Sequence, residues 1–186
     1  SDLRNLIGSG YKVYFQTVPN KYLGKEHLSL LYKYFTNPFF INTASNYLRD
    51  KALLTKINIR ISPKVKDIDK KFEGSQLWHS DHHDSKMLKI FILLKDVNLN
   101  SGPLEVLNKK MTKKIMKDIN YDCFSKNSHS DSLVNTNHEY DVMTGLKGSI
   151  IIVDTVSCFH RGSRMQTEDR LILEANYRSE EHTSEL

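Results

Sequence analysis

Four residues in this chain have the types and the order that iron chemistry needs. His79 and Asp81 fall two apart in Trp78-His79-Ser80-Asp81, His160 stands far downstream, and Arg170 follows it by ten positions. Two imidazoles and one carboxylate form the set that holds non-haem Fe(II) on one face and leaves the opposite positions open. On an extended segment residues i and i+2 project to the same side, so His79 and Asp81 can reach one ion together. A guanidinium at Arg170 can grip a carboxylate through two parallel charge-assisted hydrogen bonds. If buried, it needs an anionic partner to offset its desolvation. Taken singly, each residue has an ordinary explanation: a His-x-Asp pair arises by chance, a lone histidine is more often structural, and a lone arginine usually lies on the surface. Their order, and their placement on expected strands, carries the joint reading.

The residues that follow extend the first motif to His79-Ser80-Asp81-His82-His83-Asp84, a string that also invites zinc. Structural zinc sites usually draw on cysteine thiolates, and neither Cys123 nor Cys158 is near. His82 and His83 therefore read as loop or pocket-rim residues. Lys89 shares a strand face with Phe91 and is a candidate to help hold the far carboxylate of a bound anion, with a plain surface lysine as the alternative. His129 and His138 fall in a polar stretch and read as solvated.

These side chains require elements that bring distant segments together. Lys12 to Val18 reads as a short strand. Lys25 to Phe35 reads as a helix with Leu28, Leu31, Tyr32 and Phe35 on one face, stopped by Asn37-Pro38. Phe39 to Leu54 is a second expected helix, with Phe40, Ala44, Tyr47 and Leu48 at helical spacing. From Lys56 the period changes to two, with Ile57, Ile59 and Ile61 alternating until Pro63. Gln76 to His79 reads as extended. Met87 to Val97 reads as a long strand, with Leu88, Ile90, Ile92 and Leu94 on one face and Lys89, Phe91 and Leu93 on the other. Asn100-Ser101-Gly102-Pro103 signals a turn before a strand at Leu104 to Leu107. A helix at Thr112 to Ile119, a polar loop or lid from Asn120 to Asn137, and strands at Gly148 to Asp154, Cys158 to Arg161 and Arg170 to Tyr177 complete the pattern. Short strands with turns between them argue for a sandwich or barrel. With helices in front, the class is α+β on a jelly-roll core, whose mouth can hold a ligand.

Composition restricts the alternatives. The 186 residues suit one domain with a real core, and 39% hydrophobic with 26% charged residues is ordinary for a soluble globular chain. No apolar run is long enough to span a bilayer, and no charged-then-apolar start resembles a signal peptide. Cys123 and Cys158 form no CxxC pair and read as reduced thiols, Cys158 as a small buried hydrophobe. The expected location is cytoplasmic. The net charge of +5 comes from scattered lysines. It reads as a solvated surface, with no membrane partner and nucleic acid disfavoured. Because the chain opens on Ser1 rather than Met, its natural start is expected upstream.

Four blocks resemble one known family. Trp78-His79-Ser80-Asp81, Lys86 to Val97, Ser101-Gly102-Pro103-Leu104-Glu105-Val106-Leu107, and Gly148 to Thr155 followed by Cys158-Phe159-His160-Arg161-Gly162 are similar, in this order, to the core of the phytanoyl-CoA dioxygenase-like family. The resemblance runs from about Lys56 to Tyr177. It implies a double-stranded β-helix (jelly-roll) core at 56–177, with the helical part at 1–55 packed on it, in a single domain at 1–177. It also implies an Fe(II)- and 2-oxoglutarate-dependent dioxygenase that uses O2, with metal ligands His79, Asp81 and His160 and with Arg170 on 2-oxoglutarate. The reaction would hydroxylate a small organic substrate and release succinate and CO2. Asp81 favours hydroxylation over halogenation, because related halogenases lack that ligand. Where the family often continues with Pro-Gly-Ser-His, this chain has Asn108-Lys109-Lys110, which changes the substrate side rather than the metal ligands. The residues leave two alternatives open: a non-catalytic jelly-roll binding module, and a cupin-like divalent-metal enzyme that does not use 2-oxoglutarate. Residues 178–186, including His182, resemble translated sequencing adapter and are expected to be a non-native tail.

Overall fold

The structure is a computed structural model that describes residues 14–64, 71–81, 86–125, 128–134, 137–164 and 168–181. In chain order its strands and α-helices are β1 (Gln16–Thr17), α1 (Lys25–Phe35), α2 (Pro38–Leu48), β2 (Ala52–Ser62), β3 (Leu88–Leu93), β4 (Leu104–Val106), α3 (Lys109–Asp118), β5 (Asp141–Met143), β6 (Ile150–Val153), β7 (His160–Arg161) and β8 (Arg170–Ser179). Helices are thus combined with two sheets, one of five strands in the order β1-β2-β8-β3-β6 and one of three in the order β5-β4-β7. Every pairing is antiparallel. Among the described residues, no helix is long and apolar enough to cross a membrane.

The two-residue period of β3 and β8 separates two environments. Leu88, Ile90 and Ile92, with Leu173, Ala175 and Tyr177, join Phe35, Phe40, Ala44 and Leu48 in a core between the five-stranded sheet and α1–α2. Phe91, Leu93 and Ile172 turn the other way and meet Val106 and Val153 in a core shared by the two sheets. A third core gathers Trp78, Leu107, Ile115, Val134 and Phe159 under α3. The polar residues of interest, Lys89, Arg170 and Glu174, are in phase with the inward set.

Several boundaries differ from the sequence reading. α2 ends at Leu48 rather than Leu54, because Arg49 takes a left-handed cap (φ 59°) and the Ser45 hydroxyl accepts the Ala52 N–H at 3.0 Å. That turn sends the chain straight into β2, which starts four residues before the expected Lys56. The helix starts where Asn37 accepts the Phe39 and Phe40 N–H groups and Pro38 has no N–H to satisfy. α3 begins earlier than Thr112, because Asn108 caps it through the Met111 N–H. β3 is shorter than expected, since beyond Leu93 the chain bends until Val97 pairs with Gly145. β8 runs past Tyr177 through Arg178 and Ser179, which face Leu53 and Ala52 on β2. Gln76, expected to open an extended segment running to His79, instead closes a short 3-10 turn at Gly74–Gln76. β5 was not expected; three residues, two of them exposed, carry too little pattern. The expected strand from Lys12 is described only from Tyr14 onward.

Ile90 is fully buried at the centre of the first core, between β8 and β6. Ile90→Ala should cost about 2–5 kcal/mol through lost burial and the cavity it leaves. Urea unfolding measures this, and a loss below about 1 kcal/mol would show that the site repacks freely.

Candidate metal centre

His79 and His160 meet through their backbones. The His79 N–H donates to the His160 carbonyl at 3.1 Å, and the His160 N–H returns a bond to the His79 carbonyl at 2.9 Å. This bridge places His79 beside β7, on the side away from β4, and brings the imidazole centroids to 4.2 Å. The Asp81 N–H donates to the Thr155 carbonyl at 2.9 Å, which holds the carboxylate on the same side. Asp81 lies 4.0 Å from His79 Nε2 through Oδ1 and 3.9 Å from His160 Nε2 through Oδ2. One ligand atom from each residue falls within 4.8 Å of the others.

The tautomers follow from the neighbours. His79 Nδ1 is 2.8 Å from the Leu77 carbonyl and His160 Nδ1 is 3.1 Å from the Cys158 carbonyl. A carbonyl only accepts, so each Nδ1 carries the proton and each Nε2 presents its lone pair toward Asp81. Burial, with the charge of the opposing imidazole, holds His79 well below the usual histidine range, and burial likewise lowers His160. For Asp81, burial acts to raise the carboxyl, but His160 and Lys89 outweigh it and keep Asp81 ionised far into acid. Two neutral imidazoles and an anionic carboxylate are the protonation states a divalent metal requires.

Arg170 is enclosed at the start of β8. Its guanidinium donates to the Gly102 carbonyl, to Ser163 Oγ at 2.8 Å and to Ser62 Oγ at 3.3 Å, while Nε is buried with no partner among the described residues. Gly102 makes this possible by taking a left-handed backbone (φ 61°), which costs little without a Cβ. Among the described residues no carboxylate pairs with Arg170, and burial lowers its pKa to about 10. An uncompensated buried cation is costly and fits a site for an anion.

All four residues line one cavity of about 250 Å³, with Phe91, Leu93, Leu104 and Ile172 supplying apolar wall between them. Lys89 lies elsewhere than the sequence suggested. Its backbone faces Asn176, six residues from Arg170 along β8 and so about 20 Å away, and its Nζ sits 2.6 Å from Asp81 Oδ2. It therefore neutralises the candidate ligand instead of sharing a carboxylate with Arg170. His129 is not solvated either: its ring stacks on His79 at 4.6 Å, because the Ser130 N–H donates to the Trp78 carbonyl and draws the loop over the site. His138 lies away from the cavity lining, while His82, His83 and His182 lie outside the described residues.

One positioning residue escaped the sequence reading. Asp154 is buried and accepts the Tyr47 hydroxyl at 2.5 Å, the Val156 N–H at 3.0 Å and the Ser157 N–H at 2.9 Å, with Lys109 Nζ at 3.7 Å. The turn it folds supplies the Thr155 carbonyl to Asp81, the Val156 carbonyl to Ser80 Oγ at 2.6 Å, and the Cys158 carbonyl to His160. One carboxylate thus shapes the backbone that orients two of the three donors. Its only signal was an Asp closing an apolar run, which is too common to single out.

No family model matches the sequence, and no curated protein matches it. Solved structures share the fold. The non-heme alpha ketoglutarate dependent epimerase SnoN from nogalamycin biosynthesis aligns with TM-score 0.55 and 15% identity over 89% of this chain and 62% of that one. EctD from S. alaskensis, with 2-oxoglutarate and 5-hydroxyectoine, aligns with TM-score 0.53 and 14% identity over 91% of this chain and 57% of that one. HygX from Streptomyces hygroscopicus, with nickel, 2-oxoglutarate and hygromycin B bound, aligns with TM-score 0.50 and 11% identity over 90% and 70%. The chain spans about three fifths of the length of SnoN and EctD.

Two outcomes are expected. Because both histidines bind a proton less readily folded than unfolded, chelator-treated protein should be most stable above the ordinary histidine pKa of about 6.5 and lose stability as pH falls below it. Melting curves from about pH 7 to 5 measure this, and His79→Gln should flatten the dependence. Asp154→Ala should weaken Mn(II) binding at the donor set about 10–100-fold, read by electron paramagnetic resonance. Unchanged affinity in a folded variant would remove Asp154 from the positioning role.

Proposed function

We propose that this chain is an Fe(II)- and 2-oxoglutarate-dependent oxygenase that hydroxylates a small organic substrate. The observation that carries the reading is a single cavity with a His-Asp-His donor set in its wall and, apart from it, a buried guanidinium that no carboxylate of the described residues pairs with. The strand order of the two sheets, with His79 added beyond β7, supports a double-stranded β-helix core. The ordered sequence blocks support placement near the phytanoyl-CoA dioxygenase-like enzymes.

In this reading His79, Asp81 and His160 hold the metal through Nε2, a carboxylate oxygen and Nε2. Arg170 pairs with the far carboxylate of 2-oxoglutarate, assisted by the hydroxyls of Ser62 and Ser163. The apolar wall of Phe91, Leu93 and Ile172 suits the methylenes between its two ends. Lys89 stays at the metal end, on Asp81 or on the 2-oxo acid group beside it. Iron with 2-oxoglutarate supplies the oxidation: 2-oxoglutarate, O2 and a substrate C–H become succinate, CO2 and a C–OH. The protein excludes bulk water, keeps both imidazoles neutral and fixes their lone pairs through the Leu77 and Cys158 carbonyls.

Under argon, Fe(II) and 2-oxoglutarate together should give a weak visible charge-transfer band that His79→Ala abolishes. Arg170→Gln should raise the 2-oxoglutarate concentration for half-maximal band by about two orders of magnitude, the scale for losing one partner of a buried charge pair. Well-folded, iron-loaded protein without the band would sink the assignment. Oxygen-independent turnover with zinc would favour the cupin-like alternative.

A further inference from the structure

A second charged pair lies in the same cavity. Arg60 on β2 donates through Nε to Glu174 Oε2 at 2.8 Å, and both side chains are largely buried, at 18% and 4% exposure. Arg60 also donates through Nη1 to Thr17 Oγ1, and its guanidinium lies over the Phe15 ring at 4.8 Å. Glu174 faces Phe91 on β3, which makes it a diagonal neighbour of Lys89, four residues from Arg170 along β8. Arg60 faces Ile172, two residues from Arg170, so the pair stands between the cradle of Arg170 and the metal end of the cavity.

Structure alone gives little reason for such a pair. A buried ion pair in a sheet face is often no more stabilising than apolar residues of similar volume, and the neighbouring inward positions Phe91 and Ile172 are apolar. The pair is also incompletely used. Among the described residues, Glu174 Oε1 and Arg60 Nη2 have no hydrogen-bond partner, and neither atom is among the sealed, unpaired polar atoms of the interior. Each partner keeps one free polar edge, and both residues line the cavity.

We infer that Arg60 and Glu174 form the substrate subsite, and that the substrate class is amino-acid-like: a small molecule with a carboxylate held by Arg60 and an amine N–H held by Glu174. The cavity of about 250 Å³ lies just below the usual range of about 300–1,000 Å³ for sites of drug-sized ligands, so the part of the substrate admitted beside the co-substrate is small. The inference rests on the oxygenase reading for what the neighbouring metal end does.

The test uses the protein loaded with Fe(II) and 2-oxoglutarate under argon. Probes are the free amino acids and their N-methyl derivatives, each with its carboxamide and its deaminated acid. Binding is read twice, as a shift of the charge-transfer band and as a rise in melting temperature. At least one zwitterion should bind, and its carboxamide and deaminated analogue should each bind roughly tenfold more weakly or worse. The paired variant R60Q/E174Q, which removes both charges together, should keep the band and lose the zwitterion preference. If the band forms but no zwitterion binds, or the analogues bind equally well, the substrate class is wrong while the oxygenase reading stands. A preference that survives in R60Q/E174Q overturns the subsite. Absence of the band removes the oxygenase reading and this inference with it.

Discussion

The reciprocal pair of backbone hydrogen bonds between His79 and His160 is the constraint on which the rest depends. It joins two chain segments that are remote in sequence, and it does so at the positions that bear the imidazoles. A register slip of one residue would turn both side chains to the opposite face. Most of what surrounds the bridge guards that register. Trp78, buried one residue earlier, lies under the Arg161 guanidinium at 4.4 Å, and Arg161 is tied to Glu105 at 2.5 Å on the neighbouring strand. The Ser80 hydroxyl reaches the Val156 carbonyl from the other direction. The bridge is thus clamped on both sides by contacts between the same two segments.

The two sheets divide the remaining labour. The long β2–β8 pairing presents Arg60, Arg170 and Glu174 from a continuous ladder, so their spacing is set by backbone geometry rather than by loops. The three-stranded sheet is short and supplies the histidine-bearing edge. The helical layer is linked to the centre by Tyr47 of α2, whose hydroxyl donates to Asp154 in the turn behind His160. Burial and the adjacent Asp154 push the Tyr47 hydroxyl up, so it remains a donor throughout the neutral range.

What the sequence disclosed has a clear physical boundary. Periodicity located α1, β3 and β8, because apolar residues at fixed spacing record which face meets a core. That His79, Asp81, His160 and Arg170 would come to one cavity was readable because their chemical types are unusual on strands and their order suggested a single purpose. Pairings formed by side chains that are ordinary at the surface were not readable. His129 looks solvent-facing in the sequence and Lys89 reads as either an anion holder or a surface lysine; only the fold brings Lys89 onto Asp81 and His129 onto His79. The start of β2 was hidden because Ala52 to Thr55 is equally compatible with extending α2; pairing with β8 decides it. Asp154 was hidden for the same reason, since its four partners come from three separate elements.

The Lys89–Asp81 contact changes how cation selection at this centre should be understood. The ammonium is tethered to β3, so it competes for Asp81 at a high effective concentration whatever the solution contains. A cation that offers Asp81 little more than its charge gains little over the lysine already there. One that also draws on the two Nε2 lone pairs gains bonds that the ammonium cannot make. In the proposed centre the lysine would therefore set an affinity threshold, discriminating against hard, oxygen-preferring ions such as magnesium and calcium in favour of metals that bind imidazole well.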